Sequence, residues 1–582
     1  MKNYKVQVND RQYQEFEYLD IKTMKKTSDN LKKNPLEMKL FNQDIIDENY
    51  NILHSSVRSM RFIPGVLVLQ DEKTYGRSGG CITQPYFWYR CIPDDVRLPE
   101  FLVSYRVKND FSKYIINKYI VFRFKHWSKG DKHPLATCEN SLGNVTDLPN
   151  FYEYQLYCKS LYASIQLFKK NTYKKLQEEN EETYIGMIFW KNDIEDRTDW
   201  NIYTIDPTNS KDFDDAFGIQ MYDDKDYYVL SIYISNVSFW LDILDLWESF
   251  SKRISTIYLP DRKRPMLPSI LSDAICSLVE GKKRFAFTMD LHINKESEQI
   301  VKYNFINTMI KVKKNYRYDT SELGQNAEIN LAFLSVKNLN KYYNYVDKIE
   351  NSHDMIAYMM IIMNYYCARF LKIEKSGLFR SAKINQDYKP PEEVPSEINK
   401  FLRLWHSFGG NYCDFEHFEK HDLLELDAYV HITSPIRRLP DLLNLLIIQD
   451  KMGLVHMKER KKTFYDNWMK AESIEYINQT MRSIRRVQTD CSLLDMCFKD
   501  ETMKDTVYKG YVFDKIVRND ALFQYMVYMP KLKMTNRFTS RHDIDLYSKQ
   551  KFKIYVFMDA IRLKQKIRIE LQVEQIEKLE DK

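Results

Sequence analysis

The chain has 582 residues, 44% of them hydrophobic and 14% aromatic, with 87 Lys/Arg against 81 Asp/Glu. That length exceeds what one core supports and predicts three or four domains, while the composition and the few glycines and prolines exclude extended disorder and low-complexity linkers. Nine scattered cysteines without a CxxC pair argue against a zinc ribbon and for reduced thiols, and the lack of an apolar leader or a long apolar run predicts a soluble, membrane-free protein of a reducing compartment, cytoplasmic or nuclear.

Residues 1–50 are polar, Lys-rich and weakly patterned, and predict an N-terminal extension that is partly mobile. From there the pattern turns to short β-branched runs, IPGVLVL (63–69) and YIVFRF (119–124), separated by turn material such as YGRSGG (75–80) and IPDD (92–95). This spacing suits a small antiparallel barrel within residues 51–190, followed by a linking helix over 153–182. Residues 191–500 mix strands, among them one ending at Asp206 and YYVLSIYIS (227–235), with helices over 355–371 and 439–452 that carry wide apolar faces. After 500 come YKGYVFDKIV, FQYMVYMP, FKIYVFMDA and KIRIELQ, which read as a second small closed barrel of the OB type over 501–582. The expected architecture is multidomain α+β: a β-barrel region, a mixed α/β centre and a C-terminal β-barrel. Residues 501–570 hold 15 Lys/Arg against 8 Asp/Glu, and a basic, aromatic-rich end on a chain of net charge +6 fits a polyanion binder, although a solvated lysine-rich surface has the same composition.

IDPTNSKDFDDAFGI (205–219) concentrates Asp206, Asp212, Asp214 and Asp215 in ten residues. An EF-hand needs a glycine at its sixth position, and neither Asp206 nor Asp212 as first ligand provides one. Magnesium fits better, because it takes a few carboxylates and leaves sites for water and phosphate oxygens. Asp212 and Asp214 point the same way in an extended chain, and Pro207, Asn209 and Ser210 can turn Asp206 back towards them. Three or four converging carboxylates would suit two divalent ions that hydrolyse a phosphodiester. Alone, such a string is as readily a solvated loop.

The second stretch is YVHITSPIRRLPDLLNLL (429–446). Thr433 or Ser434 reads as a helix N-cap and Pro435 as the first helical residue. Arg437 and Arg438 then fall in the first turn, where the helix macrodipole disfavours cations and where an anion would explain them. Two surface arginines on an amphipathic helix are the plainer alternative.

Together these stretches resemble the two signatures of the ribonuclease II (RNB) family, D-P-x(4)-D-x-D-D-A and Y-x-H-x-T-S-P-I-R-R-Y-x-D-L. ISTIYLPDRKRPMLPSILSDAICSL (254–278) is similar to the family's intervening block, and CIPDDVRLPEFLV with KHWSKGDKHPLATCENSLGNV (125–145) to a cold-shock-type OB domain of its eukaryotic-like, exosome-catalytic-subunit branch, here without a PIN-type domain. The resemblance spans residues 50–575. It implies an RNB catalytic domain at 191–500 between a cold-shock-type OB region and an S1-like RNA-binding OB barrel. It implies a processive 3′→5′ exoribonuclease that hydrolyses single-stranded RNA to nucleoside 5′-monophosphates with Mg2+, Mn2+ being the substitute, by a two-metal mechanism. The expected protein is a monomer able to join a larger RNA-processing complex.

Carried over position by position, Asp206, Asp212, Asp214 and Asp215 match the metal-binding aspartates, with Asp212 and Asp214 also catalytic. Arg437 matches the arginine that stabilises charge as the phosphodiester breaks, and Tyr258 the tyrosine that stacks on a base. Arg438, Arg380, Tyr429 and Ser434 fall where RNA contacts are expected. The chain departs from the family pattern at Tyr233 and Asn236 (for His and Asp), Ala382 (for His), Leu439 (for Tyr) and Gln488 (for Glu). All four motif aspartates and Arg437 are kept. That retention argues against the rival expectation, a catalytically weak or inactive RNA-binding relative.

Overall fold

Tyr4, Val6 and Val8 turn inward along the first strand while Lys5 and Gln7 stay at its surface, the period-two pattern of a half-buried strand. The computed structural model describes residues 2–27, 31–81, 84–107, 115–318, 320–385, 394–518 and 520–572. It divides into two compact units: Met1–Tyr162 with Leu259–Asp261 and Arg486–Lys582, and Ala163–Tyr258 with Arg262–Arg485.

The first unit begins with a four-stranded sheet, ordered Phe16–Asp20, Tyr4–Val8, Ile45–Ile46, Ile52–His54. The expected mobile extension is therefore corrected. Its apolar residues are sparse, but Tyr4, Val6, Val8, Tyr13, Tyr18, Leu40 and Ile46 converge on a small core of their own. Buried Asp44 ties its end down, accepting from the Phe41 amide (2.9 Å), the Ser55 hydroxyl (2.5 Å) and Arg58 Nη1 (2.7 Å).

The first barrel follows as Ile63–Leu67, Gln84–Pro93, Phe101–Tyr105, Lys118–His126 and Leu135–Asn144. Ile63–Leu67 pairs with both Gln84–Pro93 and Lys118–His126, and Phe101–Tyr105 runs parallel to Leu135–Asn144. This is the closed five-stranded OB connectivity. Gly65 sits at the closure, where a Cβ would meet Cys91 Sγ at 2.8 Å and the Ile92 carbonyl at 2.9 Å. The second barrel has the spatial order Met534–Ser540, Phe523–Met529, Tyr508–Val517, Lys549–Asp559, Lys564–Leu571, and its two outermost strands approach each other without a ladder. The expected α+β make-up, with one β-barrel before and one after a mixed α/β segment in chain order, is what the chain forms. Within this unit Lys564 Nζ pairs with Asp94 at 2.6 Å and Arg562 Nε donates to the Asp94 carbonyl at 3.1 Å, so the two barrels touch.

The expected single helix over 153–182 is three: Leu148–Cys158, Gln166–Leu176 and Glu181–Lys191. Ser160 takes φ +54° just after the first, and Asn180 caps the third by accepting from the Thr183 amide at 2.9 Å.

The second unit is built on a seven-stranded sheet. Its spatial order is Glu195–Arg197, Ile300–Lys311, Lys283–Asn294, Tyr227–Ser235, Asp215–Gln220, Ile202–Asp206, Lys314–Arg317, with both outermost strands parallel to their neighbours. Helices Ala327–Tyr343, Ser352–Ile373 and Leu439–Lys451 contribute to its large apolar core. Ser352–Ile373 opens on a capping box, Asn351 with Asp354. Leu439–Lys451 begins four residues later than its sequence suggests, with Arg438 at the cap. The Ser434 carbonyl accepts from the Arg437 and Arg438 amides in a tight turn, and residues 437–439 then pair with 254–256 through Thr256 N–H to Arg437 O and Leu439 N–H to Ile254 O. That pairing holds Arg438 extended (φ −136°, ψ 130°), so the helix cannot start before it. Among the described residues, no helix is long and apolar enough to cross a membrane.

Candidate active site

Ile202–Asp206 and Asp215–Gln220 form an antiparallel hairpin, Tyr203 opposite Phe217, and the aspartate loop is its turn. Asn209 supplies the left-handed residue (φ +73°), and Ser210 N–H returns to the Pro207 carbonyl at 3.2 Å. The segment 211–214 is pinned from residues 276–278. Ser277 Oγ accepts from the Phe213 amide (2.9 Å) and donates to the Lys211 carbonyl (2.8 Å), and Leu278 N–H reaches the Phe213 carbonyl. Phe213, between Asp212 and Asp214 in sequence, is buried in the apolar cluster with Ile202, Ala216 and Tyr233.

Asp214 lies at the centre and is fully buried. Its Oδ1 accepts from the Ile436 amide at 2.8 Å and its Oδ2 from Arg437 Nε at 2.5 Å. Arg437 Nη2 also donates to Ser434 Oγ at 3.0 Å, so the tight turn before the helix aims this guanidinium at the aspartates. Burial pushes the Asp214 carboxyl up to about 7, with Asp215 and Asp212 adding to the rise and Arg437 and the Ile436 amide opposing it. Arg437 is held protonated well above the usual guanidinium range: burial opposes its charge, but Asp214, Tyr258, Asp215 and Asp212 outweigh it.

The other three carboxylates divide into two groups. Asp212 accepts from Lys263 Nζ (2.8 Å) on one oxygen and from the Tyr258 hydroxyl (2.9 Å) on the other, and Lys263 also reaches Asp273 at 2.9 Å. Asp206 and Asp215 carry no such partner. Burial and then Asp206 raise Asp215 to about 7, and burial raises Asp206 to about 6 against the pull of Thr204, Arg437 and Arg317. Asp206 Oδ2 is buried without a hydrogen bond.

The hairpin and the turn at 434–438, 222 residues apart between Asp214 and Ile436, thus place all four aspartates around one guanidinium. Among the described residues, no three Asp, Glu, His or Cys side chains are gathered in a metal-holding arrangement as they stand. The donor set nonetheless fits one divalent cation between Asp206 and Asp215. Two buried carboxylates that repel each other, one with an unsatisfied oxygen, gain most from a cation, and magnesium commonly binds through one or two carboxylates plus water and phosphate.

The residues expected to meet RNA fall in different settings. Tyr258 exposes 43% of its surface, and its hydroxyl donates to Asp212. Arg438 Nη2 bonds Asp441 Oδ1 at 2.7 Å, an oxygen that also accepts from the Ser434 amide. Arg380 lies 4.9 Å over the Tyr412 ring, near Arg485 and Arg438, and burial lowers its affinity for protons. Ser434 is buried and serves Arg437. Tyr429 is corrected from an RNA contact to a support: it is buried, and its hydroxyl accepts from Asn364 Nδ2 at 3.0 Å. Four residues that the sequence does not single out also stand at the aspartates: Lys263 pairs with Asp212, Ser277 holds the Phe213 amide, Arg317 lies opposite Asp206 in the register, and Tyr318 N–H donates to the Asp206 carbonyl. Lys263 sits inside the quoted 254–278 block and could have been found there; Arg317 and Tyr318 join the site only through strand pairing.

Residues 194–329 match the RNB domain family. The centre of the chain is thus similar to an RNB domain. Ribonuclease R of Thermotoga maritima is 37% identical over 132 residues, 22% of this chain and 18% of that protein. Exoribonuclease 2 of Psychromonas ingrahamii is 26% identical over 411 residues, 56% and 61% of the two. The chain therefore spans less than two thirds of the length of these relatives. Among solved structures, Mycoplasma genitalium RNase R in complex with ribose-methylated single-stranded RNA superposes with TM-score 0.67 at 14% identity, covering 98% of this chain and 100% of that one. Yeast Ssd1, a pseudonuclease, superposes with TM-score 0.56 at 13% identity over 87% and 69%. The RNB domain holds the aspartate hairpin and Tyr258, whereas Arg437 comes from beyond its matched limits.

Proposed function

We propose that this chain is a processive, metal-dependent 3′→5′ exoribonuclease that shortens single-stranded RNA and releases nucleoside 5′-monophosphates, acting as a cytoplasmic monomer. The observation that carries the reading is Asp214, buried and held from both sides by the Ile436 amide and Arg437, beside Asp206 with its unsatisfied Oδ2 and Asp215.

Asp206 and Asp215 would hold Mg2+ or Mn2+, with Asp212 and Asp214 able to join them once Lys263 or Arg437 shifts onto RNA, as a two-ion arrangement requires. When bound, the metal supplies Lewis acidity and an ionised water for phosphodiester hydrolysis. The protein's own groups do the rest. Tyr258 stacks on a base near the 3′ end, a contact of about 1–3 kcal/mol that accepts any base. Arg437, aimed by Ser434, donates to the phosphate oxygens as charge builds on them. Arg380 and Arg438 receive neighbouring phosphates.

The test is the shortening of a 5′-labelled single-stranded RNA with Mg2+ and with EDTA. A ladder of shortened products that EDTA abolishes is expected. RNA binding without shortening would establish an inactive RNA-binding protein instead, and equal shortening of a fully deoxy strand would make the chain a DNA nuclease.

A further inference from the structure

Of the cations that stand close to the four carboxylates among the described residues, Arg437 is paired with Asp214, Lys263 with Asp212 and Asp273, and Arg438 with Asp441, which leaves a third arginine to account for. The third is Arg317. Strand Lys314–Arg317 runs parallel to Ile202–Asp206 with Arg317 opposite Asp206 in the register, so the two side chains share a face of the sheet. Its guanidinium rests against Phe213 of the aspartate loop, 5.4 Å from the ring centroid. Arg317, after Thr204 and Arg437, also opposes the rise that burial imposes on the Asp206 carboxyl. Yet both groups keep an unsatisfied buried atom, Arg317 Nη1 and Asp206 Oδ2.

A buried donor and a buried acceptor each left unpaired are costly, which makes such a pair uncommon in a finished structure. A metal ion carrying a phosphate oxygen resolves both at once: the ion takes Asp206 Oδ2 and the oxygen takes the Arg317 N–H. The two orphaned atoms call for ligands of opposite sign, and a metal–phosphate pair provides them.

We infer that Arg317 is a positioning residue that acts as a built-in cation of the site. It lowers the affinity of Asp206 for metal while no RNA is present, and it holds the phosphate next to that metal when RNA arrives. This rests on the reading of the aspartate hairpin as a metal-dependent RNA-cleaving site. The arrangement couples metal uptake to substrate: alone, the ion meets a nearby positive charge, and only with a phosphate between them does that charge become an attraction.

The experiment uses the full chain as wild type, Arg317→Gln and Arg317→Lys. Mn2+ binding is measured by electron paramagnetic resonance without RNA, then with a 2′-O-methyl single-stranded oligonucleotide, alongside kcat and KM for RNA. In Arg317→Gln, Mn2+ should bind at least about threefold more tightly without the oligonucleotide, because a nearby positive charge is gone. The oligonucleotide should tighten Mn2+ binding in the wild type and do so severalfold less in this variant, with kcat falling about tenfold or more at nearly unchanged KM. Arg317→Lys, which keeps the charge, should lie close to wild type in Mn2+ affinity. A purely structural role would lower thermal stability in both variants and leave the Mn2+ affinity of folded protein unmoved. Equal Mn2+ affinity in wild type and Arg317→Gln overturns the inference while the functional reading stands. A wild-type chain that takes up no Mn2+ with or without the oligonucleotide overturns both.

Discussion

Replacing Asp214 by Asn changes one atom at the point where two distant segments meet. Oδ1 can still accept from the Ile436 amide at 2.8 Å. The side-chain NH2, however, then faces Arg437 Nε, where an oxygen accepts at 2.5 Å, so donor meets donor and the guanidinium must leave. The lost charge-assisted hydrogen bond is worth about 1.5–3 kcal/mol. Part of that is returned, because a buried carboxyl already raised to about 7 by desolvation is replaced by a neutral amide. The net loss of stability is therefore expected near 1–2 kcal/mol, and the protein should fold. Catalysis should suffer far more. Arg437 loses the partner that aims it, and removal of one preorganised charge-stabilising donor lowers kcat by on the order of 10²–10³. The assay compares single-turnover shortening of 5′-labelled RNA with its equilibrium binding in the presence of Ca2+. Hydrolysis should fall by at least about 10²-fold while affinity stays within a few-fold. Equal losses of both would refute the reasoning, since Asp214 would then serve RNA binding instead of the alignment of Arg437.

The second barrel exposes Tyr555 and Phe557 on a strand that also carries Lys551 and Lys553. Lys551→Ala with Lys553→Ala should weaken single-stranded RNA binding and reduce the slope of log affinity against log salt by roughly 0.7 per lost phosphate contact; an unchanged slope would show that this strand does not meet RNA. His421 is buried beside Tyr429 and Arg380, with Asp422 on its own segment, and burial followed by Arg380 lowers its imidazole to about 4. A histidine depressed in the fold contributes stability above its unfolded pKa and loses it as pH falls, here between about 6.5 and 4, by a linkage amounting to about 3 kcal/mol at most. His421→Asn should flatten the fall of the thermal midpoint over that window; an identical pH profile would mean that His421 titrates alike in the folded and unfolded chain.

The elements with a strong internal period were legible before any coordinates. Tyr227–Ser235 and Tyr508–Val517 coincide with their runs in the sequence, and Ser352–Ile373 differs from its predicted limits by two or three residues. Their apolar spacing alone decides burial. The N-terminal sheet was not legible, because its core of seven residues is drawn from strands and loops spread over residues 4–46, and no local window shows a period. The start of Leu439–Lys451 was misplaced for a different reason. Ser434 and Pro435 are good local capping signals, but pairing with residues 254–256, nearly two hundred positions away, holds Arg438 extended. The candidate site divides along the same line. The aspartates and Arg437 announce themselves as charge where local structure does not want it, whereas Arg317 enters only through the register of an outer parallel strand.

The departures from the family pattern fall in packing more than in chemistry. Tyr233 is fully buried in the apolar cluster with Phe213, Ala216 and Ile202, on the strand behind the hairpin, and no motif carboxylate bonds to it among the described residues. Asn236 belongs to an amide network in which its Nδ2 donates to Asn307 Oδ1 (3.0 Å) and Gln449 Oε1 (2.8 Å) and its Oδ1 accepts from Ser238 (2.7 Å). An aspartate there would set a carboxylate oxygen against two amide oxygens, so Asn236 suits Asn307 and Gln449 as they stand. Ala382 is buried and bridges in backbone to His421, whose ring lies beside Tyr429 next to Arg380. An imidazole absent from position 382 is thus supplied to the same neighbourhood from position 421.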